Sequence, residues 1–179
     1  MNQARGVHAA VVFKGEIYAI GGLIRGENGT LDSVEKYNPE KNEWTYVSKM
    51  TTSRAFHNAA IFDGTIFVTG GFKYGKFLCS AERYHHPSRR WLPVQHMKVE
   101  RASHALVALS GFLYALGGAR YTCGGLNSVE RYDLKTKKWK LVSFEGEKYP
   151  SNFRLCNFKF GISGCADDHC PTWISSFGN

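Results

Sequence analysis

Three histidines, His8, His57 and His104, each follow an arginine by three residues, at Arg5, Arg54 and Arg101. Three imidazoles can ring a metal ion, and guanidinium groups can grip carboxylates or phosphates. The histidines, however, stand at matched places among alanines and apolar residues, a setting that predicts structural histidines rather than ligands. The arginines have matched glutamates to pair with, at Glu35, Glu82 and Glu130, so a structural role is expected for them first and a place in a binding face second. Near the C-terminus, Cys156, Cys165, His169 and Cys170 have the donor types of a zinc tetrahedron, but there is no C-x-x-C pair and the spacing fits no common structural site, so free thiols are expected. No G-x-S-x-G elbow, P-loop or dinucleotide fingerprint occurs. The expectation is therefore no catalytic residue, no metal and no cofactor.

The residues that do recur carry structure. A glycine pair stands at Gly21-Gly22, Gly70-Gly71 and Gly117-Gly118, spaced 49 and 47 residues. A tryptophan follows at Trp44, Trp91 and Trp139, spaced 47 and 48. Seven residues before each lies a tyrosine, Tyr37, Tyr84 and Tyr132, within Glu-Lys/Arg-Tyr. A turn glycine recurs at Gly15, Gly64 and Gly111. Paired glycines permit positive φ and close backbone approach, and the Tyr and Trp rings suit the gap between stacked sheets.

Each repeat reads as four short strands. In the first, Ala9–Phe13 is a nearly continuous apolar run, expected to be buried on both faces and to end at the Lys14-Gly15 turn. Glu16–Ile20 follows, then Ser33–Tyr37 and Trp44–Val47, both alternating. Polarity rises outward, as in a radial sheet whose first strand lies nearest a central axis. No stretch shows sustained helical periodicity. A period near 50 with four strands per unit predicts an all-β propeller.

Gly-Gly, Glu-Lys/Arg-Tyr, a turn and then Trp resembles the Kelch motif, and the fuller pattern resembles the Kelch-like family, which joins a BTB domain to a Kelch propeller. The repeats span about 5–50, 51–97 and 98–142, with a divergent tail over 143–179 that could hold part of one more blade. The resemblance implies a protein-binding module, in a full-length parent the substrate-recognition part of a cullin-RING ubiquitin ligase. The BTB domain that would join the ligase is not read in this chain. The alternatives are an actin- or cytoskeleton-binding Kelch protein and a fragment of a Kelch-fold copper oxidase. For the last, Cys79, Tyr84, His85 and His86 have the donor types, although Tyr84 already serves the repeat.

Positions shared by every repeat serve the fold, and a partner reads what varies. By position in the family motif, the loops after the Gly pairs and the approach to each first strand share one face. That face would include Leu23, Arg25, Phe56, Phe72, Tyr74, Ser103, Arg120 and Tyr121, among them the Phe, Tyr and Arg typical of interface anchors. A formal net charge of +8 favours an acidic protein segment as partner. Lysines and arginines form no dense run, so no nucleic acid is expected. No apolar stretch is long enough for a bilayer span, so no membrane is expected either. The five unevenly placed cysteines fit a reducing cytoplasm, where Asn28-Gly29-Thr30 is a chance sequon. Three repeats fall short of the about 4–8 blades of a closed ring, so an open arc with apolar end faces, prone to self-association, is expected.

Overall fold

In the computed structural model the chain folds into three four-stranded antiparallel sheets, and the residues described are 1–24, 29–120 and 125–143. Blade 1 is β1 (Ala9–Phe13), β2 (Glu16–Ile20), β3 (Val34–Asn38) and β4 (Glu43–Val47), paired in that order. Blade 2 is β5 (Asn58–Phe62), β6 (Thr65–Thr69), β9 (Ala81–His85) and β10 (Arg90–Val94). A small hairpin, β7 (Phe72–Lys73) and β8 (Lys76–Phe77), is inserted after β6. Blade 3 is β11 (Ala105–Leu109), β12 (Phe112–Leu116), β13 (Val129–Asp133) and β14 (Lys138–Val142). The innermost strands β1 and β11 each pack against β5, and among the described residues the sheets do not close into a ring.

Turn chemistry sets the hairpins. Lys14 and Gly15 both have positive φ, 53° and 78°, the signature of a two-residue turn whose twist matches the strands it joins. Asp63-Gly64 and Ser110-Gly111 repeat it in blades 2 and 3.

Two hydrophobic cores lie between the blades. The first joins Phe13, Tyr18, Ile20 and Val34 of blade 1 to Ile66, Val68, Tyr84 and Trp91 of blade 2. The second joins Phe62 and Phe67 of blade 2 to Leu113, Tyr132 and Trp139 of blade 3. Each blade therefore has two unlike faces. In each seam the Tyr–Trp row of the later blade packs on the inner-strand aromatic rings of the earlier one. Trp91 also donates its Nε1–H to the Ser48 carbonyl of blade 1 at 3.0 Å.

The end blades depart from the expectation of inner strands buried on both faces. β5 is well covered, whereas Val12 of β1 is 66% exposed and Leu109 of β11 is 64% exposed. The apolar run encodes a strand that expects a blade on either side, and only blade 2 has both neighbours among the described residues. For the same reason Tyr37 and Trp44 are half-buried while Tyr84, Trp91, Tyr132 and Trp139 are buried.

Candidate functional site: the loop face of the blades

Each repeated arginine forms a buried ion pair with the glutamate of its own blade: Arg5–Glu35 at 2.7 Å, Arg54–Glu82 at 2.8 Å and Arg101–Glu130 at 3.0 Å. A buried pair is tolerable when most of its remaining polar atoms are satisfied, and here each arginine leaves only its Nε without a partner in hydrogen-bond geometry. Arg54 donates to the Gly70 and Ser80 carbonyls and to the Ser80 hydroxyl, and Glu82 accepts from the Thr51 and Thr52 amides. Arg5 and Arg101 repeat this with Gly21 and Ser33, and with Gly117 and Ser128. The serine two residues before each glutamate is thus a further repeat element. Its signal, Ser-x-Glu-Lys/Arg-Tyr in all three repeats, is legible in the sequence once the arginine's need for partners is considered.

The same contacts explain why the glycine pair travels with Arg-x-x-His. A Cβ on Gly70 would lie 2.3 Å from the Arg101 carbonyl and 2.9 Å from the His104 ring, both in the next blade. A Cβ on Gly71 would lie 2.6 Å from the Ala55 carbonyl of its own blade. Gly22 and Gly71 then donate their amides to the Arg54 and Arg101 carbonyls across the seams, at 2.9 and 2.8 Å.

The histidines lie in this packed layer. His104 Nε2 meets the Thr69 hydroxyl at 2.7 Å, whereas Ile20 takes the position of Thr69 in blade 1 and neither ring nitrogen of His57 meets a partner in hydrogen-bond geometry. Burial, followed by the nearby Arg101 and Arg54, holds His104 down at about 3. Burial, Arg54 and the two other histidines hold His57 well below its ordinary value. Both stay neutral in ordinary buffers. No group of three or more His, Cys, Asp or Glu among the described residues could hold a metal ion. The Tyr84 ring packs on Trp91, and His85 Nδ1 pairs with the Ser88 hydroxyl at 2.7 Å. Burial, then Glu100, pushes the Cys79 thiol up, away from the reactive thiolate.

At the same end of the blades the variable loops come together. Isolated bridges join Gly6 to Leu23, Ala55 to Phe72 and Ala102 to Ala119, so each approach segment runs beside the loop that follows its Gly pair. Backbone bonds then step from blade to blade: Phe56 donates to the Val7 carbonyl at 3.0 Å, and Ser103 to the Phe56 carbonyl at 2.7 Å. Val7, Phe56 and Ser103 hold φ of 46°, 54° and 51°, a left-handed conformation unusual for a β-branched or bulky residue. The structure thus gathers Leu23, Phe56, Phe72, Tyr74, Ser103 and Arg120 at one end of the blades. Arg25 and Tyr121 lie outside the described residues, as do Cys123 and the segment 144–179 with its cysteines.

Within this face the blade 2 loop is a finger. Phe72 and Phe77 pair across β7–β8 with their rings edge-on, 5.4 Å apart, and Tyr74-Gly75 forms the turn at φ of 46° and 80°. Tyr74 sits at the tip, 66% exposed, with the Lys73 ammonium 5.4 Å from its ring centre. The loop expected after Gly70-Gly71 is therefore a hairpin. The Phe-Lys-Tyr-Gly-Lys-Phe pattern, an X-Gly turn between matched residues, is the signal that identifies the hairpin. Arg120 lies on the blade 3 side, its Nε 3.7 Å from a Glu100 carboxylate oxygen.

An arc of four-stranded sheets with seams repeated from blade to blade and a loop face that varies between blades is the architecture of a β-propeller interaction module. The chain belongs to the Kelch-repeat family: residues 2–161 match the KLHDC2/KLHL20/DRC7 Kelch-repeats domain. It is 41% identical over 71 residues to human Kelch-like protein 33, covering 40% of this chain and 13% of that protein. It is 35% identical over 79 residues to human Kelch-like protein 15, covering 41% of this chain and 13% of that protein. It is also 38% identical over 58 residues to F-box/kelch-repeat protein At1g30090 of Arabidopsis thaliana, covering 32% of this chain and 15% of that protein. The matches thus span about an eighth of the Kelch-like relatives. Among solved structures the fold is similar to that of YjhT, with a TM-score of 0.69 at 18% identity over 78% of this chain and 52% of that one.

Proposed function

We propose that the loop face carrying Leu23, Phe56, Phe72, Tyr74, Ser103 and Arg120 binds a segment of another protein, acidic in character, and that the chain recruits it as a substrate in a larger Kelch-like protein. In that setting a BTB domain elsewhere in the parent would hand the bound protein to a cullin-RING ubiquitin ligase in the cytoplasm. The observation that carries the reading is the β7–β8 finger. An exposed Tyr74 at its tip, flanked by Lys73 and Lys76, offers an aromatic anchor and positive charge together. Aromatic residues and arginine carry most of the energy at protein interfaces, and a positive field steers acidic partners. The two similarities to Kelch-like proteins support the recruitment role by family.

Selection of a displayed random-peptide library on the full chain tests this. Enriched peptides rich in Asp and Glu, whose binding falls at least tenfold on Tyr74→Ala or Arg120→Ala with an unchanged melting temperature, support the reading. Enriched peptides that bind these variants as tightly as the parent chain overturn it.

A further inference from the structure

Folding gathers cations that the sequence scatters. Within each blade the strands pair antiparallel, so the turn between the two inner strands and the turn between the two outer strands lie at one end, opposite the loop face. The three outer turns differ in charge. Blade 1 sets Lys41 against Glu40 and Glu43 in the β3–β4 turn. Blade 2 sets Arg89 and Arg90 in the β9–β10 turn with no acid, and blade 3 sets Lys135, Lys137 and Lys138 against Asp133 in the β13–β14 turn. Asp133 is engaged by its own turn, its Oδ1 accepting from the Lys135 and Thr136 amides at 2.8 and 3.4 Å. The five cations of blades 2 and 3 are exposed, and none forms an ion pair among the described residues. Turn geometry does not ask for them. Arg89 and Lys137 hold φ of 51° and 55°, at the position that Asn42 holds at 50° in blade 1. That left-handed backbone suits Asn or Gly better than a long side chain.

We propose that the turn end of blades 2 and 3 docks on the anionic lipid surface of a membrane leaflet, which leaves the loop face pointing away from the lipid. Clusters of about four to eight Lys and Arg are attracted to such a surface through charge alone, and peripheral contact needs no spanning segment. The chemistry of the patch selects among polyanions. Single-stranded nucleic acid is held by aromatic rings on which its bases stack. Here Phe62, Tyr84, Trp91, Tyr132 and Trp139 are buried, and half-buried Phe112 lies under the Arg131 guanidinium, 4.5 Å from its ring centre. An acidic peptide is held in a groove or along a strand edge, whereas these side chains stand on tight turns. A bilayer surface asks only for positive charge spread over neighbouring turns, and blades 2 and 3 are neighbours through the second hydrophobic core. The two ends of the blades then have separate partners, and lipid contact does not obstruct the Tyr74 finger.

Cosedimentation of the full chain with phosphatidylcholine vesicles containing about one-third phosphatidylserine is the test. At about 50 mM salt the chain should pellet with them and not with pure phosphatidylcholine, and about 500 mM salt should release it. Each cation near such a surface is worth about fivefold in partitioning. Arg89→Gln with Arg90→Gln should therefore weaken binding at least about tenfold, and so should Lys135→Gln with Lys137→Gln and Lys138→Gln, at an unchanged melting temperature. Lys49→Gln with Lys98→Gln removes two exposed lysines from the loop end and should weaken it by about twofold or less. Peptide binding at the loop face should persist in every turn variant, so this proposal and the loop-face reading fail separately. A chain that stays in the supernatant at low salt overturns the proposal. So does equal weakening by the loop-end pair, which reveals attraction by net charge alone. Tighter binding to a DNA duplex or to poly-glutamate than to these vesicles also overturns it, because the turn end then serves a nucleic acid or an acidic protein.

Discussion

At the scale of single residues, the repeated polar groups are dissolved into a buried lattice rather than aimed at a ligand. Arg54 and Glu82 are both fully enclosed, so removing one partner leaves a bare charge in the interior. Glu82→Gln is expected to destabilise by about 3–5 kcal/mol, read as a lower urea midpoint, while Lys36→Gln, in a half-buried pair with Glu16, changes it by about 1 kcal/mol or less. Thr69→Val keeps the shape but leaves His104 without its hydroxyl and should cost about 1–3 kcal/mol. The buried histidines also set a pH dependence. Their folded values lie below the ordinary 6.5, so the unfolded chain takes up protons that the folded chain refuses as pH falls. Stability is full above about 6.5 and declines as pH falls from there toward the His104 value of about 3. Glu35 adds to the loss at lower pH. Burial opposes its charged form, but the Arg5 hydrogen bond and the Asn2 and Gln3 amides outweigh that and lower its value. Urea midpoints measured from pH 7 to pH 4 should fall steadily, and a flat profile contradicts the placement of these rings.

Elements were legible in the sequence to within a residue or two, because turn glycines and strand alternation are local signals. The expected Ser33–Tyr37 and Trp44–Val47 strands are Val34–Asn38 and Glu43–Val47. The arginine role was open because sequence spacing shows two possible partners and only folding brings Arg54 across 28 residues to Glu82. The β7–β8 finger was hidden because Tyr74 is not a usual residue for positive φ, so the turn was marked by Gly75 alone. Element geometry also ranks the glycines. Gly64 has nothing near a Cβ, whereas a Cβ on Gly70 would strike backbone of the next blade. Gly70→Ala should therefore lower the melting temperature far more than Gly64→Ala, whose cost is the left-handed backbone alone, about 1–2 kcal/mol.

At the scale of the whole molecule, the seams that hold the fold and the loop face proposed for recognition are different surfaces. The seams hold the invariant Tyr, Trp, Arg and Glu, and the loop face holds what differs between blades. Trp91→Ala, inside a seam, should cost about 3–5 kcal/mol and leave the loop face chemically intact. Which residues bind was less legible than which residues fold. Packing imposes the same demand on every blade and so repeats in the sequence, while a partner's demands appear once. The loop end of the blades is the proposed seat of a bound protein segment. Amide chemical shifts recorded while an acidic library-selected peptide is titrated onto the chain test it most directly. Shifts should cluster at Leu23, Phe56, Phe72, Tyr74, Ser103 and Arg120 and leave the opposite turns at Lys14, Asp63 and Ser110 unmoved. Shifts centred on those turns, or spread along the outer strands β4, β10 and β14, would contradict it.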